Sequence, residues 1–522
     1  MEQLEMKKKV TIMVAVLSVM LFAALNMTIV GTSLPKIVAD IGGMEHFNWA
    51  FTIYMLASSI TAILVGKLSD IYGRKPFILI GIIIFVIGSL LCGFSATIVQ
   101  LIIFRGIQGF GGGMIMSTAL TTVGDLFSPR ERGRWQGLMT GVFGVSSLFG
   151  PTLGGVIVDN MDWSWVFWVF LPVGVIAFFM ILKLYPKTVQ RNKEKIDYFG
   201  SFVLSIFIFL LLIGFSWAGT EYAWTSLEII TIFLVSLVAL GIFILIELKV
   251  ESPVVPLHLF KNKIVSLSNS IAFLSGAGMF GVIMYVPFYV QGVLGRTATT
   301  SGLVEMVMTL ALVAASALSG QLITKTGKYK KIALVGFALM ATGFFLNSTL
   351  AADASLVTLV IHLLITGVGL GLTMPIFTLT VQNAVEHKYL GVATATSQLS
   401  RQIGGTVGVA VLGYVMSSKM TNDLVGATMP ELPSEQVEQL QSPELLMDPD
   451  LVTSVQETLP VETHSAFEQV ISMMREALNV GLTTVFFVSG VVIVVAFLLT
   501  LLLNEIELRT SNEPEKVDKN NL

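Results

Sequence analysis

Charge is what this chain has least of. Only 12% of its 522 residues are Asp, Glu, Lys or Arg, about half of the roughly 25% carried by an ordinary soluble domain. With 54% hydrophobic residues and a mean hydropathy of +0.82, this scarcity implies a polytopic membrane protein. Its 31 basic and 34 acidic residues nearly cancel, leaving −3, so neither a nucleic-acid partner nor a polybasic anchor is expected. Cysteine is almost absent. Cys92 stands alone inside an apolar run, which excludes an internal disulfide and a cysteine metal site. The five histidines are scattered and suggest no metal centre. There is no G-x-x-x-x-G-K-[ST] sequence, Gly327-Lys328 being followed by Tyr329, and no G-x-S-x-G or cofactor fingerprint. An enzyme, a bound cofactor and ATP are therefore not expected, and an ion gradient is the expected energy source.

What the chain does have is apolar runs about twenty residues long, each sufficient to cross a bilayer as a helix. They fall at 10–34, 47–66, 77–95, 99–124, 136–158, 165–186, 199–218, 227–248, 264–294, 301–323, 331–350, 355–378, 393–416 and 480–503. The first follows Lys7 to Lys9 as a signal peptide would, but it continues past twenty residues without a small-residue cleavage site and reads as a retained span. An all-α protein of fourteen spans is expected, with both termini on one side. Lys67, Arg74, Lys75, Arg130, Arg132, Arg134, the 183–195 cluster, Lys249, Lys261, Lys263, Lys325 to Lys331 and Lys388 share that side, whereas Lys36, Arg296, Lys419 and Arg475 are left for the other. By the positive-inside rule the richer, basic face is cytoplasmic. Trp163, Trp165 and Trp168 read as interfacial belt aromatics opposite it.

Segment 417–479 breaks the pattern, with eleven Asp or Glu against Lys419 and Arg475, and prolines at 430, 433, 443, 449 and 460. It reads as a small extracellular helical insertion. Ser465-Ala466-Phe467-Glu468 has the form of a capping box opening a helix that leads into the last span.

The short turn Gly66 to Lys75 recurs 254 positions later as Gly320 to Lys328, with Gly, Leu, Gly and a basic residue at matching places and Thr324 where Asp70 stands. At an offset of 258, Ala96, Val99, Leu101, Gly109, Gly111, Gly113, Gly133, Gly150 and Gly155 recur as Ala354, Val357, Leu359, Gly367, Gly369, Gly371, Gly391, Gly408 and Gly413. A block of six spans has been duplicated in parallel orientation. The organisation expected is a first six-helix bundle over 1–186, a linker with spans 7 and 8 over 187–250, a second six-helix bundle over 251–503 that includes the insertion, and a cytoplasmic tail over 504–522.

These residues resemble the major facilitator superfamily, and within it the fourteen-span drug:proton antiporters. Gly66, Leu68, Asp70, Gly73, Arg74 and Lys75 match the superfamily's loop 2–3 signature. Arg105-Gly106-Ile107-Gln108-Gly109 matches its span 4 signature, and Gly150-Pro151-Thr152-Leu153-Gly154-Gly155 its exporter signature in span 5. Asp197 with Gly200, Pro287 to Gly295 including Gln291, and Arg401 to Gly405 are similar to the fourteen-span group. The resemblance implies the major facilitator fold and proton-coupled export of amphipathic, drug-like compounds by alternating access. It implies a multi-pass protein of the bacterial plasma membrane, monomeric, with small molecules, protons and the bilayer as its partners. It also implies a gating role for the loop 2–3 residues and a proton-coupling role for Arg105 and Arg401. Two other readings stay open: an exporter of one natural molecule such as a lipid, siderophore or antibiotic, and a transporter-fold receptor or assembly protein working through the insertion.

Read physically, Gly137, Gly141, Gly144, Pro151 and Gly155 recur at helical intervals and predict one face along which another helix comes close. Ionisable groups inside spans are functional candidates by default. They are Arg105, His362, Arg401 and Glu305, the last about one turn into span 10. Asn26, Gln108, Gln291 and His362 are candidates for the cavity lining. The chain departs from the family at Leu25-Asn26-Met27-Thr28-Ile29-Val30-Gly31, because Asn26 stands where an acid is usual and cannot carry a proton. Glu305 is the candidate substitute, with a simple role in attracting cations as its alternative. The expected partner of Asp70 is the positive end of span 13 near Gly391.

Overall fold

The computed structural model describes residues 4–42, 47–186, 197–219, 221–425, 446, 456 and 464–508. Most of the insertion and the end of the tail lie outside them. Among the described residues, fourteen helices are long and apolar enough to span a membrane, and two of these spans are broken. The elements are α1 (Met6–Ile41), α2 (Phe47–Tyr72), α3 (Arg74–Gly93), α4 (Ile98–Leu126), α5 (Pro129–Asn160), α6 (Trp165–Trp168), α7 (Leu171–Leu184), α8 (Tyr198–Trp217), α9 (Leu227–Glu247), α10 (Lys263–Pro287), α11 (Ala298–Thr326), α12 (Lys330–Asn347), α13 (Leu356–Thr373), α14 (Ile376–Ala384), α15 (Leu390–Val425) and α16 (His464–Leu502). The sixth span is α6 with α7 and the twelfth α13 with α14. Pro172 and Pro375 stand at the two breaks, where their rings cannot continue the preceding helix.

Several helices outrun the apolar stretches from which they were expected. α1 extends to Ile41 rather than 34, α15 runs over 390–425 rather than 393–416, and α16 begins at His464 rather than 480. Their extra turns are amphipathic, so hydropathy alone understates them. The capping box expected at Ser465 is displaced as well, since the helix already includes His464. Glu468 instead accepts a hydrogen bond from Gln456 at 3.3 Å.

The internal repeat shows in the packing. A Cβ on Gly109 would lie 2.6 Å from the Tyr54 carbonyl oxygen, and Gly367, its copy, abuts the carbonyl of Met308, the copy of Tyr54 at the 254 offset. Gly113 against Ser58 and Gly371 against Leu312 repeat the relation one turn on. So α4 seats on α2 as α13 seats on α11, with glycines in place of side chains at each crossing. Capping repeats too: Thr97 accepts from the Gln100 N–H at 3.3 Å, and Ser355, its copy, from the Thr358 N–H at 3.2 Å. Lys75 closes the end of α7 on the carbonyls of Leu182 (2.7 Å) and Tyr185 (2.6 Å). Lys330 does the same for α16 on the Leu501 carbonyl at 2.8 Å. A lysine is favoured at a helix C-terminus by both its hydrogen bonds and the helix dipole.

The two additional helices cover the seam where α2 meets α15. Leu56 and Ile63 of α2, Val203, Leu204 and Ile208 of α8, Ala239 and Phe243 of α9 and Val392 of α15 form one buried cluster. Asp197 caps α8 through the Gly200 N–H at 2.8 Å. Glu247, at the end of α9, accepts from the Val254 and Val255 N–H groups at 3.1 and 3.4 Å.

Candidate functional site

α2 ends at Tyr72, Gly73 reverses the chain with φ of 87°, and α3 starts at Arg74. Only glycine adopts that left-handed backbone without strain, and Gly327 (φ 70°) does so at the matching place of the second bundle. The tight reversal brings Arg74 back beside the last turn of α2. Its guanidinium ion-pairs with Asp70, donates to the Ser69 hydroxyl at 2.6 Å and donates to Asp125 of α4 at 3.1 Å. One cation between two carboxylates leaves a unit of negative charge. That charge meets the start of α15, where the Gly391 and Val392 N–H groups donate to the two Asp70 oxygens at 3.0 and 3.1 Å. A helix N-terminus is worth roughly half a positive charge. His387 Nε2 lies 3.4 Å from Asp125 on the same side.

The second seam is chemically inverted. Arg130 at the start of α5 donates from Nε to the Thr324 carbonyl at 2.9 Å and from Nη2 to the Lys325 carbonyl at 2.8 Å, the negative end of α11. Thr324 occupies the place of Asp70 in the repeat, so one seam closes by carboxylate on helix start and the other by guanidinium on helix end. Both also bring backbones together. A Cβ on Gly66 would stand 3.0 Å from the Gly391 carbonyl oxygen, and one on Gly133 3.1 Å from that of Gly320. Between the seams Gln136 donates to Gln382 at 3.1 Å, and Gln382 donates to the Thr394 hydroxyl at 3.0 Å. These cross-bundle bonds lie in the basic half. Toward the opposite face a Cβ on Gly31 of α1, Gly155 of α5 or Gly302 of α11 would meet no atom within 4 Å. On that face a cavity of about 820 Å³ lies within the second bundle, lined in part by Arg296, Asp353, Arg475 and Glu476.

Arg105, Gln108 and Asn26 are all fully buried. Arg105 donates from Nη1 to Gln108 Oε1 at 2.6 Å and from Nε to the Ala50 carbonyl at 3.2 Å, and it lies over the Tyr54 ring at 4.4 Å. Gln108 Nε2 donates to Asn26 Oδ1 at 2.9 Å and to the Ser89 hydroxyl at 2.7 Å. One glutamine thus ties α1, α3 and α4 together. Asn26 and Gln108 are inside the first bundle rather than on an open cavity wall.

The remaining candidates are separate. Arg401, a third of the way along α15, donates from Nη2 to the Met374 carbonyl at 3.4 Å, at the break between α13 and α14 where the helical ladder is interrupted. Glu305 lies two turns into α11, deeper than expected because the helix starts at Ala298. It is half-buried, and its Oε1 has no hydrogen-bond partner among the described residues. It shares a stripe with Thr309 and Val313, the residues that meet Gly144 of α5. His362 is half-buried with Nδ1 unpartnered, and Gln291 lies in a π-helical turn over Phe288–Val293.

The small-residue face of α5 is divided. Gly137, Gly141 and Gly144 face α11, with a Cβ on Gly137 reaching 2.7 Å from the Ser316 carbonyl oxygen, but Gly150 packs on Thr28 of α1 in its own bundle. Pro151 is exposed. The predicted face therefore holds only as far as Gly144, since a Cβ on Gly155 meets no atom within 4 Å. Asp125, Arg130 and Gln382 were not singled out in the sequence. Nothing local marks them, because each acquires its partner from a distant segment.

Two six-helix bundles related by an internal repeat, joined through helix ends on one face, define a membrane transporter. The chain belongs to the major facilitator superfamily, whose model matches residues 16–409. It is 36% identical to the multidrug transporter protein MdtP of Bacillus subtilis (strain 168), over 98% of this chain and 96% of that protein. It is 34% identical to multidrug resistance protein 3 of the same organism, over 95% of each. Among solved structures it is similar to the human organic anion transporter MFSD10, with a TM-score of 0.63 at 14% identity, covering 94% of this chain and 99% of that one. It is also similar to the proton:xylose symporter XylE, with a TM-score of 0.59 at 13% identity, covering 94% and 95%. At such identities the structural likeness concerns the fold. The fourteen spans fit the fourteen-span type of the superfamily.

Proposed function

We propose that this chain exports amphipathic, drug-like compounds across a bacterial plasma membrane in exchange for protons, working as a monomer with both termini cytoplasmic. The names of the two Bacillus relatives support the substrate class. The 34 Phe and 24 Met residues supply adaptable apolar surface for varied compounds. The single observation that carries the transport cycle is the grip of Asp70 on the start of α15, matched by that of Arg130 on the end of α11. Such ion-to-helix-end contacts hold the basic face shut in an outward-facing state and release when the bundles rock. Glu305 is the proton carrier, because Asn26 has no proton to exchange and the Glu305 carboxyl sits on the stripe of α11 that meets α5. Arg105 and Arg401 hold their bundles in register for that step.

Efflux of several unrelated dyes from loaded cells, with and without a proton uncoupler, tests the reading. Uncoupler-sensitive efflux of all of them is expected. Movement of one compound alone would replace it with a specific exporter, and no movement of any would remove it.

A further inference from the structure

The network around Arg105 is incomplete in two respects. A guanidinium with no exposed surface is bonded to a backbone carbonyl, a neutral amide oxygen and an aromatic face. None of these carries a negative charge. Among the described residues its ionisable neighbours are Tyr54 and Cys92, which are neutral acids at ordinary pH. Asp125, the carboxylate on its own helix, lies twenty residues along α4, roughly 30 Å away at 1.5 Å per residue. A buried cation left without a counter-charge is strongly disfavoured. In addition, two donors are unsatisfied. Arg105 Nη2 and Asn26 Nδ2 have no partner among the described residues, and the two residues flank the same Gln108 amide, one on its oxygen and one on its nitrogen. A cluster with spare donors and surplus positive charge calls for an acceptor that is also an anion.

We propose that this network holds a small monovalent anion of the halide class, chloride in the cell, on the unpartnered Nη2 of Arg105 and Nδ2 of Asn26, beside the Gln108 amide. Burial sets its size. Arg105, Gln108, Asn26 and Ser89 are all without exposed surface, which leaves no room for an amphipathic substrate and limits the ligand to a single-atom ion. Charge sets its kind, because a water molecule would satisfy the donors but leave the cation uncompensated. Asn26 is what makes the site. An aspartate at that position would supply the counter-charge from within the chain and exclude the ion.

The test is equilibrium binding by the purified full-length protein in detergent, which is independent of transport. Thermal unfolding is followed as chloride replaces gluconate at constant ionic strength. The wild-type midpoint rises saturably with chloride, by roughly 1–3 °C, as expected for a ligand that binds only the folded state, and bromide substitutes for chloride. Asn26→Asp is as stable in gluconate as in chloride. Equal wild-type midpoints in the two salts, or an undiminished chloride response in Asn26→Asp, would overturn the proposal. Should the variant fail to fold, anomalous scattering from wild-type crystals grown in bromide decides: a peak beside Arg105 Nη2 supports the site, and its absence there removes it.

Discussion

The carboxylate of Asp70 accepts a hydrogen bond from the backbone N–H of Gly391, 321 residues away, at 3.0 Å. With the Val392 N–H on its other oxygen, it caps the first turn of a helix belonging to the other bundle. A charged group and a backbone terminus separate without leaving a second buried charge behind, because Arg74 stays paired with Asp70 in the first bundle. The contact can therefore open and close repeatedly.

Asp70→Asn keeps one acceptor oxygen and loses the charge. Charge-assisted hydrogen bonds contribute about 1.5–3 kcal/mol, so the variant inserts normally and loses about 10- to 100-fold in the equilibrium that favours closure of the basic face. Efflux per molecule falls well below wild type at equal expression. Wild-type efflux by Asp70→Asn would reduce the turn to a connection.

Arg130→Gln breaks the mirror contact on the Thr324 and Lys325 carbonyls. This pair is exposed, where solvent screens charge, so the loss expected is smaller than for Asp70→Asn, several-fold in efflux rate. The double variant is more impaired than either single one. A double variant equal to Asp70→Asn alone would show that the second seam bears no part of the closure.

Gly137→Val places a side chain against the Ser316 carbonyl of the other bundle, where a Cβ alone would stand 2.7 Å from the oxygen. Gly155→Ala in the same helix meets no atom within 4 Å. The first variant abolishes efflux while remaining in the membrane, and the second behaves as wild type. Equal effects of the two would contradict the division of the α5 face.

Glu305→Gln keeps the shape and removes the titrating group. In proteoliposomes the variant still carries substrate down its own gradient, but an imposed pH gradient no longer drives accumulation. Retained pH-driven accumulation would exclude Glu305 as the carrier.

How far the sequence discloses this molecule depends on the range over which each interaction acts. The Gly66 to Lys75 turn and its copy at Gly320 are legible because the glycines, the left-handed reversal and the basic residue are all set within ten positions. The repeat is legible for the same reason, and Gly109 and Gly367 can be paired before their carbonyl contacts are seen. The grip of Asp70 on α15 is legible from the latch that the family resemblance implies and from the attraction of an acid for a helix start. Asp125 and His387 are different. Asp125 joins Arg74 from 51 positions away and His387 approaches that same Asp125 from the other bundle, and no periodicity marks either. Asn26 is legible as a departure from the family pattern, but its bond to Gln108 is not, because the two meet only when α1 and α4 pack. The lengths of α1, α15 and α16 are misjudged for a simpler reason: a helix leaves the apolar layer without ceasing to be a helix.

The central claim is that the bundles pivot about a basic face held shut by Asp70, and a distance across that face tests it most directly. Cys92 is the single native cysteine and is buried, so a Cys92→Ser background accepts spin labels at Tyr72→Cys and Lys388→Cys, two exposed positions on either side of the seam. Pulsed electron–electron double resonance should give a short, narrow distance in the otherwise unchanged protein and a population shifted to longer distance when Asp70→Asn is added. Identical distance distributions with and without that substitution would contradict the account.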